Sequence, residues 1–227
     1  MRHGKKYRES IKKYDPATTY ELKQAVETVK SMAFAKFDET VDLSVKLNLK
    51  KSQTVRDTVV LPNQFKAEKR ILVFCKSEKE EEAKAAGATY IGSDDLIEKI
   101  KGGWLDFDVA VATPDMMKDV GKLGMVLGRK GLMPNPKTGT VTFDLKSALA
   151  ELKKGRVEFR ADKTGVVHLP VGKVSMDVDK IAENISTVVS EIKRKKPADA
   201  KGEFIMSISI ASTMSPGVWA VIADTAE

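Results

Sequence analysis

The sequence predicts a chain that is α+β at both ends and α/β in its middle. Residues 40–49 alternate apolar and polar side chains, which is typical of a strand with one buried face. Residues 71–75 and 109–112 are continuous apolar runs, which are typical of strands buried on both faces. Helical segments separate these runs, so the middle of the chain predicts a small three-layer unit with a parallel sheet.

The N-terminal part predicts one helix followed by two strands. Residues 20–32 have apolar side chains at helical spacing, and Thr18 with Glu21 forms the pattern of a capping box. The strands are expected at 40–49 and 54–61, and the second of them is closed by Pro62.

The middle part predicts strands and helices in alternation. Between the two buried strands we expect a helix at 78–86, a short strand at 89–91 and a helix through Lys101 with Ser93 as its N-cap. Residues 121–139 contain five glycines and two prolines and show no periodicity. This composition indicates a shaped loop with basic side chains.

The C-terminal part returns to the first pattern. We expect a helix at 147–154, a hairpin whose strands 156–161 and 166–169 flank the turn 162–165, and strands at 204–210 and 218–222. A helix capped by Asp177 ends in the basic residues 193–196, which complement its dipole. Periodicity does not decide whether the two ends share a domain, although one economical arrangement inserts the middle part between them.

Composition excludes several classes of protein. The 227 residues suffice for one large domain or two modest ones. No apolar run approaches the roughly 18 residues of a membrane helix, so a membrane-spanning protein is not expected. The basic first residues lead into no apolar core, so we expect no secretory signal. A single cysteine, Cys75, excludes an internal disulfide and suits the reducing cytoplasm.

The net charge of +7 is unevenly distributed. The stretches 1–13, 119–139, 153–173 and 191–201 carry +5, +3, +4 and +3, which leaves −8 on the rest of the chain. Positive segments on an otherwise acidic chain favour a polyanionic partner. The alternative is a set of solvated lysine-rich faces.

Catalytic chemistry is poorly supported by the sequence. The chain has only two histidines, His3 and His168, and no His, Cys and acid set with metal-ligand spacing. Neither a dinucleotide fingerprint nor a P-loop follows the first buried strand. We expect no enzyme and no cofactor, and a nucleotide- or phosphate-ligand-binding α/β enzyme built on residues 68–141 remains as the rival hypothesis.

Three segments have side chains suited to RNA, which is bound through phosphates, 2′-hydroxyls and exposed bases. They are residues 160–165 at a turn, 212–217 at a strand end, and Lys36 with Phe37 before a strand. Each segment alone is a weak signal.

Taken together, the motifs resemble the bacterial-type large ribosomal subunit protein L-one family. The sequence GLMPNPK at 131–137 is highly specific, and AKFDETV at 35–41, FRADKTG at 159–165 and STM at 212–214 accompany it. The resemblance implies a discontinuous α+β domain I formed by 1–67 and 159–227, with a Rossmann-like domain II inserted at 68–158. It also implies that domain II moves about crossings near 65–69 and 155–159.

The function implied by the resemblance is that of a cytoplasmic, non-catalytic ribosomal protein. It would bind the large-subunit ribosomal RNA of the mobile stalk near the exit-site tRNA, assist movement and release of tRNA, and repress translation of its own operon mRNA. No membrane and no small-molecule substrate are implied. The alternative function is that of a non-ribosomal RNA- or DNA-binding protein, and only the resemblance distinguishes the two.

The resemblance also assigns candidate binding residues by position. On domain I they are His3, Lys5, Lys6, Lys36, Phe37, Arg160, Asp162, Lys163, Thr164, Gly165, His168, Lys173, Ser212, Thr213, Met214 and Ser215. On a loop of domain II near RNA or tRNA they are Arg129, Lys130, Gly131, Met133, Asn135 and Lys137. Ser215 stands where the family usually has a glycine, so we expect the backbone to approach RNA less closely there.

Overall fold

A computed structural model of the chain describes residues 4–50, 53–65, 70–76, 79–153, 155–197 and 202–221, with the backbone alone for Asp94 and Lys137. Its internal contacts form two compact units. Unit 1 combines Met1–Phe65 with Val157–Glu227, and unit 2 is Lys66–Arg156. The boundaries of these units lie two residues earlier than the predicted domain boundaries.

Unit 1 is built on a mixed sheet. Its described strands are β1 (Tyr20–Glu21), β2 (Thr40–Leu47), β8 (Val166–Lys173), β9 (Ile205–Ser212) and β10 (Val218–Val221). Their order is β1-β10-β9-β2-β8, in which β2 is antiparallel to both β8 and β9, and β1 runs parallel to β10. A separate pair, β3 (Arg56–Val60) with β7 (Arg156–Arg160), contributes to the same apolar core.

Two helices cover one face of this sheet. They are α2 (Leu22–Met32) and α8 (Val178–Arg194), and a short basic helix, α1 (Lys5–Ile11), precedes them. Alternate residues of β2, namely Val41, Leu43, Val45 and Leu47, are buried against the apolar stripes of both helices. The residues between them are exposed or half-buried, so the opposite face of the sheet is open.

Unit 2 is a three-layer α/β structure, as its buried strands predict. Its strands are parallel and have the order β5-β4-β6. Leu72 and Phe74 of β4 pack into one apolar cluster, whereas Ile71 and Val73 pack into another on the opposite face. The elements are β4 (Ile71–Phe74), α3 (Glu80–Ala85), β5 (Tyr90–Gly92), α4 (Asp94–Lys101), β6 (Val109–Ala112), α5 (Met117–Val120), α6 (Gly124–Lys130) and α7 (Leu145–Lys153). The predicted fold class is confirmed.

Three local predictions are wrong. Thr18 and Glu21 form no capping box, because Thr18 donates its hydroxyl to Asp15 and Glu21 lies in β1. Residues 121–139 are not all loop, since α6 forms there and ends at Gly131 with φ of 71°. The side chains of this helix reach the core at Leu127, which overcomes the low helix propensity of its glycines.

The predicted hairpin at 156–169 is also absent. Strand β7 pairs with β3, whereas β8 joins the large sheet, and the two are linked by a single antiparallel bridge between Ala161 and Val167. The turn at 162–165 is present, since the N–H of Gly165 donates a hydrogen bond to the carbonyl of Asp162, but long-range packing determines which strands pair.

None of the described helices is long and apolar enough to cross a membrane.

Candidate nucleic-acid interface

The loop between α2 and β2 presents the first pair of predicted residues. Lys36 is exposed, and the Phe37 ring is 57% exposed although it is large and apolar. The loop is shaped by Glu39, which is only 1% exposed. One oxygen of this carboxylate, Oε1, accepts hydrogen bonds from the backbone N–H groups of Phe34 at 3.0 Å and Ala35 at 2.8 Å.

The second oxygen of Glu39 holds the turn that follows β9. Oε2 accepts hydrogen bonds from the buried hydroxyl of Ser212 and from the backbone N–H of Met214 at 3.2 Å. Burial acts to raise the pKa of Glu39, but the hydrogen bonds from Ser212, Ala35 and their neighbours outweigh it and lower the pKa. A single buried carboxylate therefore joins the loop of Phe37 to the turn of Met214.

Polar groups of this turn are already hydrogen-bonded within the protein. The hydroxyl of Thr213 accepts a hydrogen bond from the N–H of Thr40 at 3.0 Å, and that of Ser215 accepts one from the N–H of Ser212 at 3.0 Å. Ser215 has no positive φ, so a side chain is accommodated without backbone strain. Met214 is 49% exposed, although its side chain is large and apolar.

Lys173, at the end of β8, lies at the same end of the sheet. Its Nζ is 3.7 Å from Oδ2 of Asp38, and Asp38 accepts hydrogen bonds from the hydroxyl and N–H of Ser175. The hydrogen bonds from Ser175, with the charge of Lys173, lower the pKa of Asp38. The cation of Lys173 is thus partly balanced by a carboxylate, whereas Lys36 has no ion-pair partner among the described residues.

His168 lies on the open face halfway along β8, which is an edge strand of the described sheet. Its Nδ1 and the hydroxyl of Ser44 are hydrogen-bonded at 2.9 Å across β8 and β2. Asp42 and Lys46 flank Ser44 on the same face of β2. The face therefore carries polar side chains along its length.

The predicted turn at 162–165 lies at the opposite end of β2. Oδ1 of Asp162 accepts hydrogen bonds from the N–H groups of Thr164 and Val166, both at 2.8 Å, and from the Thr164 hydroxyl at 2.7 Å. These bonds, that from Val166 foremost, lower the pKa of Asp162. Asp162 and Thr164 thus shape the turn, and their polar groups are already engaged.

Two constraints require a glycine at position 165. Its φ is +78°, and an added Cβ would lie 3.0 Å from the carbonyl oxygen of Leu47. The side-chain amine of Lys46 donates a hydrogen bond to the carbonyl of Thr164, which attaches the turn to the open face. Arg160 and Lys163 are exposed, and both residues line an open cleft beside this turn.

The cleft beside this turn has a volume of about 750 Å³. Its lining residues from the preceding segment are Leu49, Lys50, Gln53 and Thr54. Within the described residues, Lys50, Arg160 and Lys163 take part in no ion pair. The cleft can therefore receive a phosphate-bearing group.

The predicted residues of unit 1 do not form one compact cluster. The Glu39 end and the Gly165 end are separated by the length of β2, about 23 Å at 3.3 Å per residue. His168 lies between them on the open face. The N-terminal helix carries exposed Lys5 and Lys6 and is attached to the first end, since Ser10 donates a hydrogen bond to the carbonyl of Met32 at 3.1 Å. His3 lies outside the described residues.

The predicted residues of unit 2 divide into structural and exposed groups. Asn135 forms a tight turn whose carbonyl accepts hydrogen bonds from Thr138 and Thr140, and Met133 packs against the apolar core. Arg129 and Lys130 are exposed in the last turn of α6 before Gly131. Of Lys137 only the backbone, in a short 3-10 turn, is described.

Sequence reasoning missed Glu39, Ser44 and Lys46. A glutamate before a strand looks like an ordinary surface residue, and its burial depends on donors more than 170 residues away, at Ser212 and Met214. Ser44 and Lys46 could have been found, because they alternate with the buried residues of β2. Within the described ranges, no three His, Cys, Asp or Glu side chains are grouped as a metal site requires.

Comparisons with known proteins identify the family. A family model described as "Ribosomal protein L1p/L10e family" matches residues 29–216. Relatives named "Large ribosomal subunit protein uL1" include that of Treponema denticola, which is 67% identical over 219 residues, covering 96% of this chain and 97% of the relative. That of Treponema pallidum (strain Nichols) is 62% identical over 221 residues, with 97% and 98% covered. That of Borreliella burgdorferi (strain B31) is 60% identical over 215 residues, with 95% of both chains covered. Because the matches span both units at this identity, the chain belongs to the ribosomal protein L1p/L10e family.

Proposed function

We propose that this protein is a structural component of the large ribosomal subunit that binds ribosomal RNA through unit 1. The observation that carries the proposal is the open sheet face with basic side chains at both ends and the exposed ring of Phe37 at one of them, in a chain whose relatives are named as large-subunit proteins. Lysines and arginines would neutralise phosphates, while Phe37 and Met214 would pack against sugars or bases. As a member of a family of structural ribosomal proteins, the chain is not an enzyme.

The proposed ligand is the ribosomal RNA of the mobile stalk near the exit-site tRNA. The two ends of the open face are about 23 Å apart, so the RNA would span several nucleotides rather than enter one pocket. The cleft at Arg160 and Lys163 would hold the backbone at one end, and Lys36 with Phe37 would contact it at the other. His168 would contact the intervening sugars.

Unit 2 would face RNA or the exit-site tRNA through Arg129 and Lys130. Both cations are exposed at the end of α6, where Gly131 turns the chain. In this position the protein would assist movement and release of deacylated tRNA. The free protein would also repress translation of its own operon mRNA, provided that this mRNA presents a structure similar to the stalk.

Sedimentation and crosslinking test the ribosomal assignment. Lysate from the source cells is separated on a sucrose gradient, and RNA crosslinked to the protein is sequenced. We expect the protein in the large-subunit fraction and crosslinks from unit 1 to stalk RNA. Free protein, or crosslinks to unrelated RNA or DNA, would instead favour the non-ribosomal alternative and overturn the assignment.

Repression is tested separately with a reporter that carries the leader of the operon. Added protein should lower translation of this reporter, and a variant with Phe37→Ala should lower it less. Equal translation with and without wild-type protein would contradict the regulatory role and leave the ribosomal role unaffected.

A further inference from the structure

Trp219 is an exposed aromatic residue on a polar sheet face. Its side chain is 45% exposed on β10, which places it on the open face, because its neighbours Val218 and Ala220 are buried against the helices. Among the described residues the indole makes neither a ring contact nor a hydrogen bond. With Val221, which is 50% exposed on the same face of β10, the indole forms a contiguous apolar patch that a flat ligand can cover.

The neighbours of Trp219 give this surface a specific form. Trp219 is paired in register with Ser209 of β9, Ser209 with Ser44 of β2, and Ser44 with His168 of β8. An indole, two hydroxyls and an imidazole therefore lie in one row across four strands. Adjacent strands are about 4.8 Å apart, so the row is about 14 Å long.

The surface beside the indole is shallow because a glycine, Gly217, lies there. Gly217, two residues before Trp219 on the same side of the strand, has no side chain, and an added Cβ would lie 3.0 Å from the hydroxyl oxygen of Ser209. Val221, 50% exposed, flanks the ring on the other side. The result is a shallow ledge bounded by an aromatic ring and a hydroxyl.

The charges around the ledge favour a neutral, flat ligand at its centre. Glu21 is opposite Val221, and Asp42 and Lys46 flank the row on β2, so the face itself has no excess of positive charge. Among the described residues, cations without an ion pair lie at both ends of the sheet, with Lys36 at one end and Lys163 with Arg160 at the other. This arrangement suits an RNA whose phosphates lie at the ends and whose exposed base lies on the face.

We propose that an unpaired base of the RNA stacks on the indole of Trp219, with its ribose against the hydroxyl of Ser209. This inference rests on the proposed RNA-binding function and extends the interface from the sheet ends to β10. Stacking on an aromatic ring tolerates any base, so Trp219 selects single-stranded over paired nucleotides rather than a particular sequence.

Fluorescence and affinity together test the stacking. The sequence has two tryptophans, and Trp104 packs against Tyr90 in unit 2, so the difference between the wild-type and Trp219→Phe signals isolates Trp219. The probes are single-stranded oligoadenylate, its duplex with oligouridylate, and a transcript of the stalk RNA. We expect oligoadenylate and stalk RNA to quench Trp219, and the duplex to quench it far less.

Variants separate stacking from folding. Trp219→Leu should weaken binding of stalk RNA by about 5- to 150-fold, which corresponds to the loss of one stacked base. Trp219→Phe should retain most of the affinity. Val60→Ala, at an exposed apolar position on β3 of the separate strand pair, is the control and should retain all of it. Circular dichroism and the thermal midpoint should be unchanged in each variant, because Trp219 is exposed.

The outcomes distinguish this inference from the function on which it rests. Wild-type affinity in Trp219→Leu, or unchanged Trp219 fluorescence on RNA binding, would overturn the stacking and point to a protein partner for this ledge, while leaving the RNA-binding function in place. Failure of the wild-type protein to bind stalk RNA, with quenching by oligoadenylate intact, would overturn the function and not the stacking.

Discussion

The carboxylate of Glu39 accepts a hydrogen bond from the hydroxyl of Ser212, and both residues are buried at one end of the unit 1 sheet. The same carboxylate holds the N–H groups of Phe34, Ala35 and Met214. Two segments that are far apart in sequence, and that carry Phe37 and Met214, are therefore oriented by one side chain. Glu39 is a positioning residue of the proposed interface, since it reaches RNA only through these neighbours.

Replacing this carboxylate should disturb both stability and binding. In Glu39→Gln an amide nitrogen takes the place of one oxygen, so two of the four donors lose their acceptor. We expect the free energy of unfolding to fall by about 2–3 kcal/mol, as for lost hydrogen bonds to a buried charged group, and RNA affinity to fall with it. Urea unfolding and filter binding measure the two effects. Glu27→Gln, at an exposed position of α2, is the matched control and should change neither the free energy of unfolding nor the RNA affinity.

The stability of unit 1 should depend on pH through the same group. The pKa of Glu39 is lowered in the folded protein, so its stabilising contribution is complete above the pKa of the unfolded chain and is lost as the pH falls through the folded value. From about pH 5 downward, the wild type should lose more free energy of unfolding than Glu39→Gln. Urea titrations at neutral and acidic pH compare the two, and parallel losses would show that Glu39 does not titrate as described.

The turn at 162–165 should not tolerate a side chain at Gly165. Gly165→Ala combines a positive φ with a Cβ 3.0 Å from the Leu47 carbonyl oxygen, so we expect a loss of about 2 kcal/mol or more. Gly202→Ala is the matched control, because Gly202 has nearly the same φ, +77°, and no atom of the described residues lies within 4 Å of the added Cβ. Thermal unfolding should show the larger loss for Gly165→Ala. Equal losses would mean that the φ alone matters.

Phe37 should contribute to RNA binding and not to stability. Phe37→Ala removes a ring that is 57% exposed, so the thermal midpoint should change little, while affinity for stalk RNA should fall by about 1–3 kcal/mol if the ring stacks on a base. Phe143→Ala removes an equally exposed ring from unit 2. In an electrophoretic mobility assay, an equal effect of the two substitutions would argue against a specific contact at Phe37.

The fold could be predicted where the local pattern matched the final environment. The alternation in β2 and the apolar run of β4 match the faces that are buried, so the sequence predicts both strands. The helix α6 is not predictable from its pattern, because its glycines have low helix propensity and its stability comes from packing at Leu127. The hairpin at 156–169 failed for a related reason, since a turn motif does not determine which strand its flanks will pair with.

The candidate site was predictable only as a set of segments. The motifs identify Phe37, Lys163 and Met214 as candidate binding residues. They do not predict the separation of about 23 Å between the two ends of the face. The turn roles of Asp162 and Asn135 required knowledge of their hydrogen-bond partners. The positioning role of Glu39 could not be predicted, because only long-range contacts distinguish a buried carboxylate from a solvated one.

The dependence of RNA affinity on salt tests the central claim that both ends of the unit 1 sheet bind phosphates of one RNA. Affinity for stalk RNA is measured over a series of salt concentrations for the wild type, Lys36→Gln and Lys163→Gln. We expect the logarithm of affinity to fall linearly with the logarithm of salt concentration, and each substitution to reduce the slope by about 0.7–0.9. A flat response in the wild type, or slopes that neither substitution changes, would contradict the claim.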